Sequence, residues 1–152
     1  MKVTFLDIDG VLNSFKYESE RKPNEGNIDE SRLAMLCEIT VRTGGKIVLS
    51  TSWRNHWSKN PDERDQIGKD LDELFQKHGL KIFDKTPTSS DNDRSKEIRQ
   101  WLAENPVESF VILDDIAWGW GDLDPFVVKT NYRIGRGLEQ KHVEAAIKVL
   151  DG

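Results

Sequence analysis

Residues 5–13 read FLDIDGVLN: an apolar entry, two aspartates one residue apart, a glycine and a second apolar pair. The run VTFL at 3–6 leads into it and is apolar on both faces, as a central strand of a parallel sheet is. Two carboxylates therefore close what reads as a buried strand. A buried charge is costly unless it is paired or bound to a metal, so other parts of the chain must supply partners for Asp7 and Asp9.

Outward from this stretch, strands alternate with helices. Residues 14–29 are polar, contain Pro23 and Gly26, and read as a loop. From Asp29, a helix cap, Leu33, Leu36, Cys37, Thr40 and Val41 fall on one helical face that stops at Gly44-Gly45. KIVLST (46–51) is a second strand. Ile67, Leu71, Leu74, Phe75 and His78 repeat at helical spacing, and LKIFD (80–84) is a short third strand. Ile98, Trp101 and Leu102 mark a helix over 94–104. SFVILDD (109–115) and FVVKT (126–130) are further strands, and Val143, Ala146, Ile147 and Leu150 give a closing helix. This order predicts an α/β fold, a three-layer Rossmann-like parallel sheet with helices on both faces. One domain over residues 1–152 is expected.

Composition narrows the function classes. Hydrophobic residues make up 36% of the 152 and charged residues 32%, the balance of an ordered globular chain. The formal charge of −5 argues against a broadly basic nucleic-acid surface, although a local basic groove is compatible with it. The one cysteine, Cys37, cannot form an intrachain disulfide and suits a reducing, cytoplasmic setting. No apolar run approaches the roughly 20 residues of a membrane span, and Asp7 interrupts the N-terminal run, against a signal peptide. His56, His78 and His142 are scattered without zinc-ligand spacing.

In open parallel sheets, ligands bind at the carboxyl ends of the strands. The residues there are Asp7 and Asp9, then Ser50, Thr51 and Ser52, then Asp114 and Asp115. Carboxylates brought together raise each other's pKa unless a cation sits among them. Oxygen ligands of this type suit a hard divalent ion such as Mg²⁺, which keeps waters and a phosphate in its shell. Gly10 permits the turn that follows the paired aspartates. A DxDG, a Ser-Thr-Ser or a DD pair is each common alone at a turn or strand end. Their occurrence together, in this order, points to phosphate chemistry.

LDIDGVLN, VLSTSWR, a basic residue opening the 94–104 helix, and VILDD resemble the four motifs of the haloacid dehalogenase (HAD) superfamily of phosphohydrolases, in the superfamily's order. SWR, RSKEIRQWL and KTNYRIGRGL further resemble the small HAD domains found alone or fused to RNA-repair enzymes. The resemblance implies that Asp7 is the nucleophile, forming an aspartyl-phosphate. It implies that Asp9 is the general acid and then the base, a role typically worth ~10²–10⁴ in rate. Mg²⁺ would be held by Asp7, the backbone carbonyl of Asp9, and Asp115, with Asp114 and Gly10 supporting from behind. Thr51 would bind the phosphate through its hydroxyl with the Ser52 N–H beside it, and Ser50 is the competing hydroxyl. For the cation, Lys96 matches the superfamily's lysine, while Arg94 is the candidate suggested by the narrower group. Arg54 reads equally as a surface residue or a substrate contact, and Trp53 as packing.

Residues 14–45 and 55–93 must already supply the crossovers, so neither interval holds the cap domain that closes many such sites. An uncapped site admits a large phosphorylated substrate, a nucleic-acid end or a phosphoprotein, which can act as its own lid. Trp57, Lys59, Trp118, Trp120, Lys129, Arg133, Arg136 and Lys141 could line a rim for a single-stranded end. WGWGD (118–122) reads as a loop near the metal. The alternatives are a phosphatase of nucleotides or sugar phosphates, and a non-catalytic binding module. A signal-receiver domain would carry its acidic pair at the first strand and the phosphorylated aspartate on a middle one, which is the reverse order.

Overall fold

In the computed structural model, which describes residues 1–152, Lys2–Leu6 forms β1 at the centre of a five-stranded sheet. The order is β3-β2-β1-β4-β5, with β2 Lys46–Leu49, β3 Ile82–Lys85, β4 Ser109–Asp114 and β5 Val127–Lys129. Every neighbouring pair is parallel. Parallel pairing needs crossovers, and these are α2 Glu30–Thr43, α3 Gln66–Lys77 and α4 Arg94–Glu104, with α5 Gln140–Asp151 closing the chain.

The helices cover both faces, unequally. On one face Leu6, Ile47, Leu49 and Leu113 meet Leu33, Leu36 and Ile39 of α2, Phe75 of α3, and Val143 and Leu150 of α5. On the other, Val3, Phe5, Val48 and Ile112 meet Ile98 and Trp101 of α4 and the segment carrying Trp120 and Leu123. The Phe5 and Trp101 rings meet edge to face, 5.4 Å between centroids. Each such side chain contributes about 1.5–3 kcal/mol on burial, so β1, covered on both sides, anchors the positions of the residues that follow it.

Helix boundaries follow the caps. The Asp29 side chain accepts the Ser31 N–H, and Gly44 ends α2 in the left-handed conformation, φ 71°. The Asp93 side chain accepts from Ser95 and Lys96 N–H, which fixes Arg94 as the first residue of α4. Strand β3 starts at Ile82 and β5 spans only Val127–Lys129, each shorter at its start than the sequence suggests, and two further differences bear on the site. Strand β2 stops at Leu49, because Thr51 already caps a single 3₁₀ turn over Ser52–His56. Within 14–29 there is a short helix, α1 Phe15–Glu20, capped by Ser14. None of its residues is buried, so it left no apolar periodicity to read.

Residues 14–45 hold only α1 and α2. The interval after β2 holds two 3₁₀ turns, α3 and β3. No cap domain is inserted at either place. No helix is long and apolar enough to cross a membrane. Leu6 stands level with Leu49 and Leu113, so Asp7, Ser50 and Asp114 leave three adjacent strands at one level.

Candidate functional site

At that level the acidic residues converge. Carboxylate oxygens of Asp7, Asp114 and Asp115 lie within 4.8 Å of one another. Asp7 is 5% exposed and Asp114 wholly buried. One Asp7 oxygen accepts the Ile8 N–H at 2.8 Å, and the other lies 3.1 Å from Arg94 Nη1. The same guanidinium nitrogen donates to Asp114 at 2.9 Å, and the second Asp114 oxygen accepts the Ile116 N–H at 3.0 Å. Burial, and then the charge of Asp114, push the Asp7 carboxyl up to about 8, against the opposing pull of Arg94. Burial and Asp114 likewise raise Asp115. One guanidinium for three carboxylates leaves the cluster short of positive charge.

A hard divalent cation fits this donor set. Asp114 has both oxygens engaged by Arg94 and Ile116. Asp7 is engaged in the same way, by the Ile8 N–H and Arg94, while the Asp115 carboxylate takes part in none of these bonds and the Asp9 carbonyl accepts no hydrogen bond within the chain. Gly10 sits at φ 87°, and a Cβ there would collide with the Asp115 carboxyl. Only glycine lets that carboxylate seat against the turn.

A pH prediction follows. Without a cation, folded Asp7 holds its proton up to about pH 8, whereas the unfolded chain loses it near pH 4. Across that window the folded state binds more protons, so stability falls as pH rises. A cation favours the ionised carboxylate and offsets the loss. The rise in Tm on adding Mg²⁺ should therefore grow from pH 5 to pH 8 in a thermal-shift titration. An increment independent of pH would contradict the placement of Asp7 in a cation site.

Asp9 is placed differently from Asp7. An unbroken strand would aim both to one side, but β1 ends at Leu6 and the chain turns. The Asp9 side chain is exposed at the rim, and one oxygen accepts from Asn13 Nδ2 at 3.0 Å. The other accepts from the Trp53 indole N–H at 3.1 Å. Asn13 also accepts the Gly10 N–H at 2.8 Å, so this buried amide fixes both the turn and the carboxylate. Thr130 Oγ1 closes the turn from β5 by donating to the Gly10 carbonyl at 2.7 Å.

At the end of β2, Thr51 and Ser50 are buried and Ser52 is exposed. Thr51 Oγ1 accepts the Trp53 N–H at 3.4 Å, which leaves its own proton free to donate. The Ser50 hydroxyl has no partner. On α4 the geometry brings Arg94, and not Lys96, to the carboxylates. The Lys96 side chain is 62% exposed and bonded to Asp91 at 2.5 Å. Of the two candidate cations it is Arg94 that reaches the cluster, because Asp93 caps the helix so that its first residue faces the sheet edge.

Arg54 is neither on the surface nor free for a substrate. It is buried, donating to Glu97 at 2.9 Å and to the Thr51 carbonyl at 3.0 Å. Glu97 is 1% exposed and also accepts from Ser89 N–H at 2.8 Å. This pair ties the turn after β2 to the helix that carries Arg94. Glu97 was missed in the sequence, yet a signal existed: it shares the buried face of α4 with Ile98 and Trp101, and a charge on an apolar face demands a partner. Asn13 was missed because nothing marks a buried amide in a polar loop.

The basic and aromatic rim is thinner than expected. Trp57 and Trp120 are buried in the two cores. Lys59 pairs with Asp84, Lys129 with Asp124 and Arg136 with Glu20. In WGWGD, Trp120 points inward and donates to the Ile116 carbonyl, while Trp118 is 81% exposed. Trp53 does pack against the core, and in addition holds Asp9.

The family model described as "HAD domain in Swiss Army Knife RNA repair proteins" matches residues 3–143. No curated protein and no solved structure matches the chain significantly.

Proposed function

Because the chain belongs to the family of HAD domains in Swiss Army Knife RNA repair proteins, we propose that it is a Mg²⁺-dependent phosphoric monoester hydrolase. We take its substrate to be large, a phosphorylated nucleic-acid end. The observation that carries this reading is the meeting of Asp7, Asp114 and Asp115 beside one guanidinium, with Asp9 held separately at the rim. The family's link to RNA repair and the absence of a cap support the choice of substrate.

The chemistry divides between the two aspartates. Asp7 attacks phosphorus, and the ester P–O bond on the far side breaks as Asp9 gives its proton to the leaving oxygen. Asp9 then takes a proton from water. That water attacks the phosphorus of the aspartyl-phosphate, releasing phosphate and restoring the Asp7 carboxylate. Asp7, the Asp9 carbonyl and Asp115 would hold Mg²⁺, which would supply charge neutralisation between an anionic nucleophile and an anionic substrate. Arg94 binds phosphoryl oxygens, and its place in the first turn of α4 adds the favourable end of the helix dipole. Thr51 donates its free proton to a second oxygen, with the Ser52 N–H next to it. Asn13 and Trp53 keep the Asp9 carboxyl aimed at the leaving oxygen.

The test is a panel of phosphorylated oligonucleotides, phosphopeptides and small phosphate esters, assayed with Mg²⁺ and with EDTA. Release of phosphate from oligonucleotide ends, abolished by EDTA and restored by Mg²⁺, is the expected result. Turnover unaffected by EDTA would contradict the metal assignment. Turnover confined to sugar phosphates would contradict the substrate.

A further inference from the structure

Beside Asp9 lies a cleft of about 590 Å³, lined in part by Ser52 and Trp53, whose other walls none of the chemistry above uses. We propose that this cleft seats the leaving group, and that its occupant is the uncharged terminal ribonucleoside of the phosphorylated chain. The inference rests on the phosphomonoesterase reading for its catalytic role, though not for the binding itself.

Position comes first. In an in-line displacement the leaving oxygen departs opposite Asp7 and next to the acid that protonates it, Asp9. Whatever that oxygen carries must extend past the Asp9 carboxyl. Of the two groups that hold this carboxyl, one lines the cleft and the other is bonded to a residue that does. Trp53, which donates to Asp9, lines it. Asn13 donates at 3.2 Å to the carbonyl of Asn27, which also lines it.

The lining then selects the occupant. Trp53 provides an aromatic wall, and Ile67, Leu71 and Leu74 provide an aliphatic one. Ile67 is 48% exposed, an apolar side chain left facing solvent at the cleft. A flat ring between such walls is held by stacking and apolar burial. The volume lies within the range of small-molecule sites, about 300–1,000 Å³. No lysine or arginine lines the cleft, whereas Glu30 and Asp70 do, one oxygen of Glu30 bonded to Lys77 and His78 and one of Asp70 to Gln66. Without a lysine or arginine in its lining the cleft offers a second phosphate no partner, and the remaining oxygen of each carboxylate can accept from the N–H and O–H donors of a base and a ribose. A sugar phosphate offers these walls a smaller apolar face than a base does, and a phosphopeptide offers few edge donors to the carboxylates.

The experiment has a kinetic and a binding arm. Ile67→Asp alters the far wall, on α3, away from every group assigned to catalysis. Its kcat/KM should fall about tenfold or more on a 3′-phosphorylated ribodinucleotide, mostly through KM. On acetyl phosphate, whose small leaving group does not reach the cleft, it should stay within about twofold of the parent protein. Equal losses on both substrates, no loss on either, or a loss confined to a phosphopeptide would overturn the proposal. The binding arm titrates uncharged guanosine and adenosine into the unaltered protein and follows the Trp53 indole N–H by NMR, assigned with Trp53→Phe. A saturable shift of that signal, weakened by Ile67→Asp, supports the cleft as a nucleoside site even if the protein hydrolyses none of the esters. That combination would overturn the phosphatase reading alone. An unmoved indole signal overturns the nucleoside site.

Discussion

Asp7→Asn should lower turnover by roughly 10⁴-fold or more while leaving the protein folded. The amide has nearly the shape of the carboxylate but cannot form an acyl-phosphate. The fold has no reason to suffer. Burial and neighbouring Asp114 already hold the Asp7 proton up to about pH 8, so the native site accommodates a neutral group at this position. Removing a charge that burial disfavours should leave Tm equal or higher at pH 8 in the absence of a cation. The two readouts therefore move in opposite senses, with activity lost and stability kept. A variant retaining turnover within tenfold of the parent would remove Asp7 from the nucleophile's role. A variant that simply unfolded would show that the side chain's charge, and not its chemistry, is what the fold requires.

The second large effect is structural and lies at Glu97. Replacing it with Ala leaves the Arg54 guanidinium buried without a counter-charge. Its hydrogen bonds to Thr51 O and Thr88 Oγ1 remain. Breaking one side of a buried pair costs about 3–5 kcal/mol, a large share of the stability of a chain this size. Chemical denaturation should show the midpoint falling accordingly, with an unchanged slope. Burial already lowers the Arg54 pKa against the attraction of Glu97, so removing Glu97 takes away the largest contribution that favours the buried charge. Removing both charges together, Arg54→Met with Glu97→Leu, should recover much of the loss. A Glu97→Ala loss below about 1 kcal/mol would mean that water reaches Arg54 and that the pair is not a brace.

How much of this could be read in the sequence depended on whether a feature was local. The central strand, the Asp29 cap of α2, Gly44 at its end and the 94–104 helix are written in contiguous residues, and they stand where expected. The convergence of Asp7 with Asp114 and Asp115 needed only the rule that parallel strands end at one edge. Side-chain direction was harder. Arg94 and Lys96 are two residues apart on a helix, roughly 200° of rotation. Choosing between them required knowing that Asp93, and no earlier residue, caps α4. Arg54 lies in the 3₁₀ turn after β2 and Trp57 closes it, where neither helical nor strand periodicity tells inside from outside. The exposed helix α1 left no pattern at all, because nothing in it is buried.

The most direct measurement of the central claim is chemical trapping of the phosphoryl group. The protein is mixed with Mg²⁺ and a phosphorylated oligonucleotide, quenched during turnover, and reduced with borohydride, which converts an aspartyl-phosphate to homoserine. Peptide mass spectrometry should find homoserine at position 7, dependent on both substrate and Mg²⁺ and absent from Asp7→Asn. Trapping at another residue, or steady phosphate release with Asp7 left unmodified, would contradict the account.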